Sequence, residues 1–180
     1  MGWLMELPEA GYLYALATIS ITYAGFAALA IILRQTTGGK PSSLDTFFIR
    51  NVLVRSFMIA GFSMLPPLLA MFELPQSTIW RASGTVAAIL QCLFILIWYL
   101  RRRTVTDRPL PRLSFANVIF QLLTALFLLL NAAGIVFESG AGPFSAGVTA
   151  FMLSAAIAYM IALGTLLEET SRQKSRRQKL

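Results

Sequence analysis

Asn117, Gln121, Thr124 and Asn131 fall four, three and seven residues apart in an otherwise apolar stretch, which puts all of them on one face of a helix. Three carboxamides and a hydroxyl do hydrogen-bond chemistry: they donate and accept, but none of them exchanges a proton near neutral pH. In hydrocarbon an unmet polar group is costly, so the stripe must meet protein or water. Two readings follow. The preferred one is interhelical hydrogen bonding, with Gln91 or Thr18 as partners; the other is the lining of a hydrated path for a solute.

The arginines form the second group. Arg50 and Arg55 stand at the head of one apolar run, and Arg101, Arg102 and Arg103 follow Trp98 and Tyr99 at the end of the next. Such long side chains reach out of hydrocarbon to lipid phosphates, while Trp and Tyr favour the headgroup level, so the expected role of all five is contact with lipid headgroups. Arg55 lies deepest. Turned into a bundle it would instead bind an anion or pair with a polar neighbour. Consecutive arginines do not make the spaced intramembrane row of a voltage sensor. A third feature is Pro66-Pro67, which removes two backbone donors and predicts a helix break, a kink or an end, that frees the carbonyls of Phe62 and Ser63; a kink satisfied by neighbours or water is preferred to carbonyls that coordinate an ion.

Much chemistry is absent. The chain has no histidine, the commonest metal and haem ligand and the usual base of a nucleophilic triad. No lysine falls inside an apolar run, so a retinal Schiff base has no attachment point, and no acid lies deep in one to act as a proton relay. Neither a phosphate-binding glycine motif nor a metal-ligand spacing occurs. The expectation is therefore a protein without enzymatic activity, cofactor or metal. Cys92 is the single cysteine, which rules out an intrachain disulfide and predicts a small buried packing residue.

The elements that hold these residues are read from composition. Of 180 residues, 57% are hydrophobic and 13% charged, against about 25% charged in a soluble domain. A bilayer core needs roughly 20 apolar helical residues, and five runs supply them, near 11–33, 50–72, 81–100, 113–137 and 146–167. The fold expected is all-α: a polytopic membrane helical bundle of five spans over residues 1–170, followed by a basic cytoplasmic tail at 171–180. Glu6 and Glu9, with no Lys or Arg before residue 10, argue against a cleaved signal peptide, so the first helix is expected to be retained. Glu6 also breaks the myristoylation pattern after Met-Gly.

All basic residues but Arg81 fall in three segments, around 34–55, 101–112 and 172–179, which alternate along the chain with the acidic stretches at Glu6/Glu9, Glu73 and Glu138. The positive-inside rule then puts the N-terminus out and the C-terminus in. Arg81, on the outer side, is expected to pair with Glu73 or Glu138.

Two stripes of small residues complete the pattern: Gly11, Ala15, Thr18, Thr22 and Gly25 on the first helix, and Ala146, Ala150, Ser154, Ala158 and Ala162 on the fifth. Such faces let helix backbones approach closely, within the chain or between subunits. The expected partners are the bilayer, anionic headgroups that attract the basic tail, and a further copy or another membrane subunit. Nucleic acid is not expected, since the basic residues already have a topological role. The function expected is that of a noncatalytic subunit of an oligomer or membrane complex, a multi-pass protein of a bacterial inner membrane. The alternative is a small channel or transporter with its path along the fourth helix.

Overall fold

Lipid offers the backbone no hydrogen-bond partner, so apolar runs of this length fold as helices that satisfy their own peptide groups. The structure, a computed structural model, describes residues 7, 9–36, 43–105 and 112–177, except for the side chains after residue 160 and at several helix ends. The side chains of Arg34, Lys40, Arg108, Arg112 and Ala162, and of the basic residues from Arg172 to Lys179, lie outside the described residues. The described chain is helical: α1 (Ala10–Thr36), α2 (Ser43–Ala70), α3 (Gln76–Val105), α4 (Arg112–Ala132) and α5 (Ala141–Arg177). Each contains a stretch long and apolar enough to cross a membrane: Ala10–Leu29, Ile49–Ala70, Gln76–Arg103, Leu113–Ala132 and Ala141–Met160.

Local chemistry sets several helix ends. Although its apolar run continues to Phe137, α4 stops at Ala132 because Gly134 takes the left-handed conformation, φ 73°. The Gly134 N–H donates to Asn131 O at 2.9 Å and the Ile135 N–H to Leu130 O at 3.0 Å, the pair of reversed bonds that closes a helix on a C-terminal glycine. Before α3 the Pro75 carbonyl accepts from the Thr78 and Ile79 N–H groups, at 2.9 and 3.1 Å. Pro143 sits in the first turn of α5, where its missing N–H has no intrahelical partner to lose. Pro66 and Pro67 do not end α2, which runs on to Ala70; of the kink or end expected there, the end is corrected. The two lost donors are consecutive, and the residues after them keep their own N–H groups, so the last turn still closes.

Sequential neighbours pack together, and α5 also reaches back to α2 and, lightly, to α1 and α3. α1 lies along α2, α2 meets α5 and α3, α5 also meets α4, and α4 packs on α3. Apart from α2, α1 touches only α5 among the described residues, and that lightly. The main core joins Leu13 and Leu16 of α1, Ile59 and Phe62 of α2, Ala87 and Ala88 of α3, Leu128 of α4, and Phe144, Val148 and Phe151 of α5. Phe62 stacks on Phe151 with ring centroids 6.0 Å apart, and Trp80 on Phe144 at 5.7 Å, offsets that favour aromatic pairs.

Two glycines set the closest approaches. A Cβ at Gly84 would lie 3.3 Å from Ala132 Cβ and 3.4 Å from the Leu128 carbonyl, and a Cβ at Gly147 would lie 2.4 Å from Leu128 Cδ2. Leu128 therefore packs directly onto the α5 backbone at Gly147.

Several side chains depart from the sequence reading. Cys92 faces outward rather than packing inside, because the buried face of α3 is taken by Ser83, Gly84, Ala87, Ala88 and Gln91. Trp98 is buried against Phe47, with ring centroids 6.2 Å apart, while Tyr99 alone stays exposed for the belt role. Arg81 donates from Nε to Ser139 Oγ at 3.0 Å in place of the expected ion pair with Glu73 or Glu138.

Candidate functional site

The polar stripe of α4 points into the bundle. Asn117, Gln121, Thr124 and Asn131 are all buried, and Gln91 of α3 is buried beside them. Gln91 Nε2 donates to the Gln121 main-chain carbonyl at 2.9 Å, a bond between α3 and α4. Ser154 Oγ donates to Asn117 Oδ1 at 2.9 Å, joining α5 to α4. Thr124 turns its hydroxyl back to the Phe120 carbonyl at 2.8 Å, and Gln121 Nε2 reaches the Asn117 carbonyl at 3.3 Å. Three helices are thus tied at one level by side-chain hydrogen bonds, each worth on average about 0.6 kcal/mol between membrane helices. Gln91 Oε1, Gln121 Oε1 and Asn131 Nδ2 are buried without a partner.

Thr18, the other partner expected for this stripe, is not among them: it is exposed on α1 and bonds the Tyr14 carbonyl at 2.9 Å.

Arg55 and Arg50, given one role by the sequence, separate in the structure. Arg50 is exposed, as are Arg101 and Arg103, and Arg102 is half-buried; Arg103 bonds the Tyr99 hydroxyl and lies over its ring, 4.5 Å from the centroid. Arg55 is 2% exposed. Its Nη1 donates to the Ser154 carbonyl at 3.3 Å and reaches Ser154 Oγ at 3.5 Å, and its guanidinium carbon stands 5.3 Å from the Phe94 ring centroid. Its Nε has no partner. It therefore does not share the exposed position of Arg50: the alternative weighed for it, an arginine facing the bundle, describes its placement. Beside it lies a cavity of about 20 Å³ lined by Asn51, Arg55, Trp98, Ser114, Asn117, Val118 and Ala158.

The small-residue faces differ from one another. Gly11, Ala15, Thr18, Thr22 and Gly25 are all exposed, and a Cβ on Gly11 or Gly25 would meet nothing within 4 Å. α1 packs on its neighbours through another face: Leu13, Leu16, Ser20, Ala24 and Ala27. Thr18 and Thr22 bond the carbonyls of Tyr14 and Thr18, each at 2.9 Å, so neither threonine of this face presents an unmet hydroxyl. On α5, Ser154 is buried, Ala150 and Ala158 are half-buried and Ala146 is exposed. The tight crossing there uses Gly147, one position on from the expected stripe. Between α4 and α5, an apolar groove of about 530 Å³ is lined by Leu113, Phe120, Leu153, Ala156, Ile157 and Met160.

Sequence reasoning found the α4 stripe and missed Gly84, Gly147 and Trp98. The two glycines look no different from the other small residues of these helices, and only the partner on the facing helix distinguishes them. Among the described residues no cluster of His, Cys, Asp or Glu could hold a metal ion. Compared with family models, curated proteins and solved structures, the chain matches none.

Proposed function

We propose that this protein is a noncatalytic subunit of a membrane assembly, joined to a second copy or to another membrane helix through the outward face of α1. It would span the inner membrane with its N-terminus out and its C-terminus in, the arrangement favoured by the alternation of basic and acidic segments. One observation carries the reading. α1 is packed on one side only, and its free side presents small residues, with open space at Gly11 and Gly25, set among exposed Tyr14, Phe26 and Leu29. Lipid chains are as apolar as leucine, so association between membrane helices comes from close van der Waals packing, which small residues permit. A helix facing only lipid has no need of such a face.

In a Cys92→Ala background, a cysteine at Thr18 or Thr22 is expected to form an intersubunit disulfide in native membranes, while a cysteine at Ser20, on the buried face, is not. Equal crosslinking at all three positions, or none at any, would count against this interface.

The second reading, a polar path along α4, has the three unpartnered amide atoms of Gln91, Gln121 and Asn131 in its favour. Cysteines at 117, 121, 124 and 131 separate the two. They are expected to resist a water-soluble thiol reagent if the stripe is a sealed joint, and labelling along the series would establish a hydrated path.

A further inference from the structure

The cavity beside Arg55 lies toward one end of the bundle. Arg55 is six residues past Ile49, the start of the α2 span, or roughly 9 Å along the helix. Trp98 is five residues from the end of the α3 span, Asn117 four from the start of the α4 span, and Ala158 two from the end of the α5 span. This is the same end that carries the exposed Arg50, Arg101 and Arg103.

The lining combines the guanidinium of Arg55 and the polar side chains of Asn51, Ser114 and Asn117 with Trp98, Val118 and Ala158. Arg55 Nε and Trp98 Nε1 are both buried without a partner. Ser154 already occupies Asn117 Oδ1, which leaves the Asn117 NH₂ as its donor end. Among the described residues no carboxylate is paired with Arg55, whose contacts are the long bonds to Ser154 and the ring of Phe94. Asp45, the nearest acid in its own helix, is ten residues away, roughly 15 Å along the axis.

A guanidinium buried in hydrocarbon with neither counter-charge nor a full set of acceptors is costly. Water in the cavity would accept hydrogen bonds but leave the charge; an anion meets both needs. A volume of about 20 Å³ exceeds the 10–15 Å³ or so that one water requires, and it is too small for a tetrahedral phosphate group. We infer that Arg55, Trp98 and Asn117 form a binding site for a single monatomic anion of the chloride class. The arginines at the same end of the bundle raise the local concentration of anions around its mouth.

The test uses the full chain in detergent or in zwitterionic lipid nanodiscs, with chloride as the probe and gluconate at equal ionic strength as the control. Chloride is expected to raise the melting temperature saturably, and bromide to substitute for it. Trp98→Phe should weaken the apparent affinity roughly tenfold by removing one donor, and Arg55→Gln by a hundredfold or more through loss of the charge-assisted bonds. Should Arg55→Gln fail to fold, chloride NMR line broadening by the wild-type protein, relieved by bromide and diminished in Trp98→Phe, decides the matter. Identical melting and no broadening in chloride would show a water-filled cavity and overturn the inference. Stabilisation by phosphatidylglycerol but not by chloride would overturn it too, by assigning the site to a lipid headgroup.

Discussion

Replacing Gly147 with alanine is expected to destabilise the bundle by about 1–3 kcal/mol, the usual cost of overpacking a well-filled interior. The new Cβ would stand 2.4 Å from Leu128 Cδ2 and 2.7 Å from Leu128 Cγ. Leu128 is 1% exposed, so its side chain can yield only by pressing on neighbours in the main core. Leu128→Ala alone should also destabilise, by about 2 kcal/mol or more, through loss of contacts and the void it leaves. The double variant is the informative one. A methyl at 147 then occupies part of the space vacated at 128, so the two costs should fall short of additivity by about 1 kcal/mol. Reversible unfolding in mixed micelles measures all three. Strict additivity would mean that the two helices do not meet at this point.

The second large effect concerns association rather than folding. Gly11→Leu and Gly25→Leu together are expected to weaken self-association or partner binding by tenfold or more, while leaving the unfolding of the isolated protomer within about 0.5 kcal/mol of wild type, as for surface substitutions elsewhere. The physical reason is the contrast between these glycines and Gly147: nothing lies within 4 Å of a Cβ at either position, so leucine has room in the protomer and none between two closely crossing helices. Parallel measurement of oligomer mass and protomer stability separates the two effects. Loss of both together would mean that α1 packs inward on this face.

The class of fold was legible because lipid imposes it. An uncharged run long enough to span must be helical, and five such runs in this chain become five helices. The inward direction of the α4 stripe was legible for the same reason: carboxamides on an apolar helix have one tolerable face. Where several outcomes cost the same, the sequence was silent. Arginine can snorkel or turn inward from the same depth, so Arg50 and Arg55 could not be told apart; burial of Arg55 depends on Ser154 and Phe94, far away in the chain. Small residues are common on every helix here, so periodicity picked out the outer face of α1 and a line on α5 adjacent to the one that Leu128 meets. Cys92 and Trp98 went the other way for a related reason: which face of α3 is buried is settled by neighbours, and a thiol is as much at ease in lipid as in a core. The end of α4 was within reach, since Gly134 follows Asn131 by the spacing of a helix-closing glycine, although the apolar residues after it concealed the signal.

These observations describe a division of labour across the bundle. Polar side chains are spent inward, tying α3, α4 and α5 at one level through Gln91, Gln121, Asn117 and Ser154. α1 contributes little to that joint, and its outward side carries Gly11, Thr18, Thr22 and Gly25 among exposed Tyr14, Phe26 and Leu29. A hydrogen-bonded three-helix joint, with an outer helix packed along α2 and open on its other side, suits a subunit that offers one face to a neighbour.

The most direct measurement is native mass spectrometry of the wild-type protein released from mild detergent over a range of protein-to-detergent ratios, beside the Gly11→Leu/Gly25→Leu variant. The expected result is a defined oligomer, or a stoichiometric complex with another membrane protein, that persists on dilution for wild type and falls to monomer for the variant. Wild type that is monomeric at every ratio, in detergent and in native nanodiscs alike, would contradict the assignment of α1 as an assembly face.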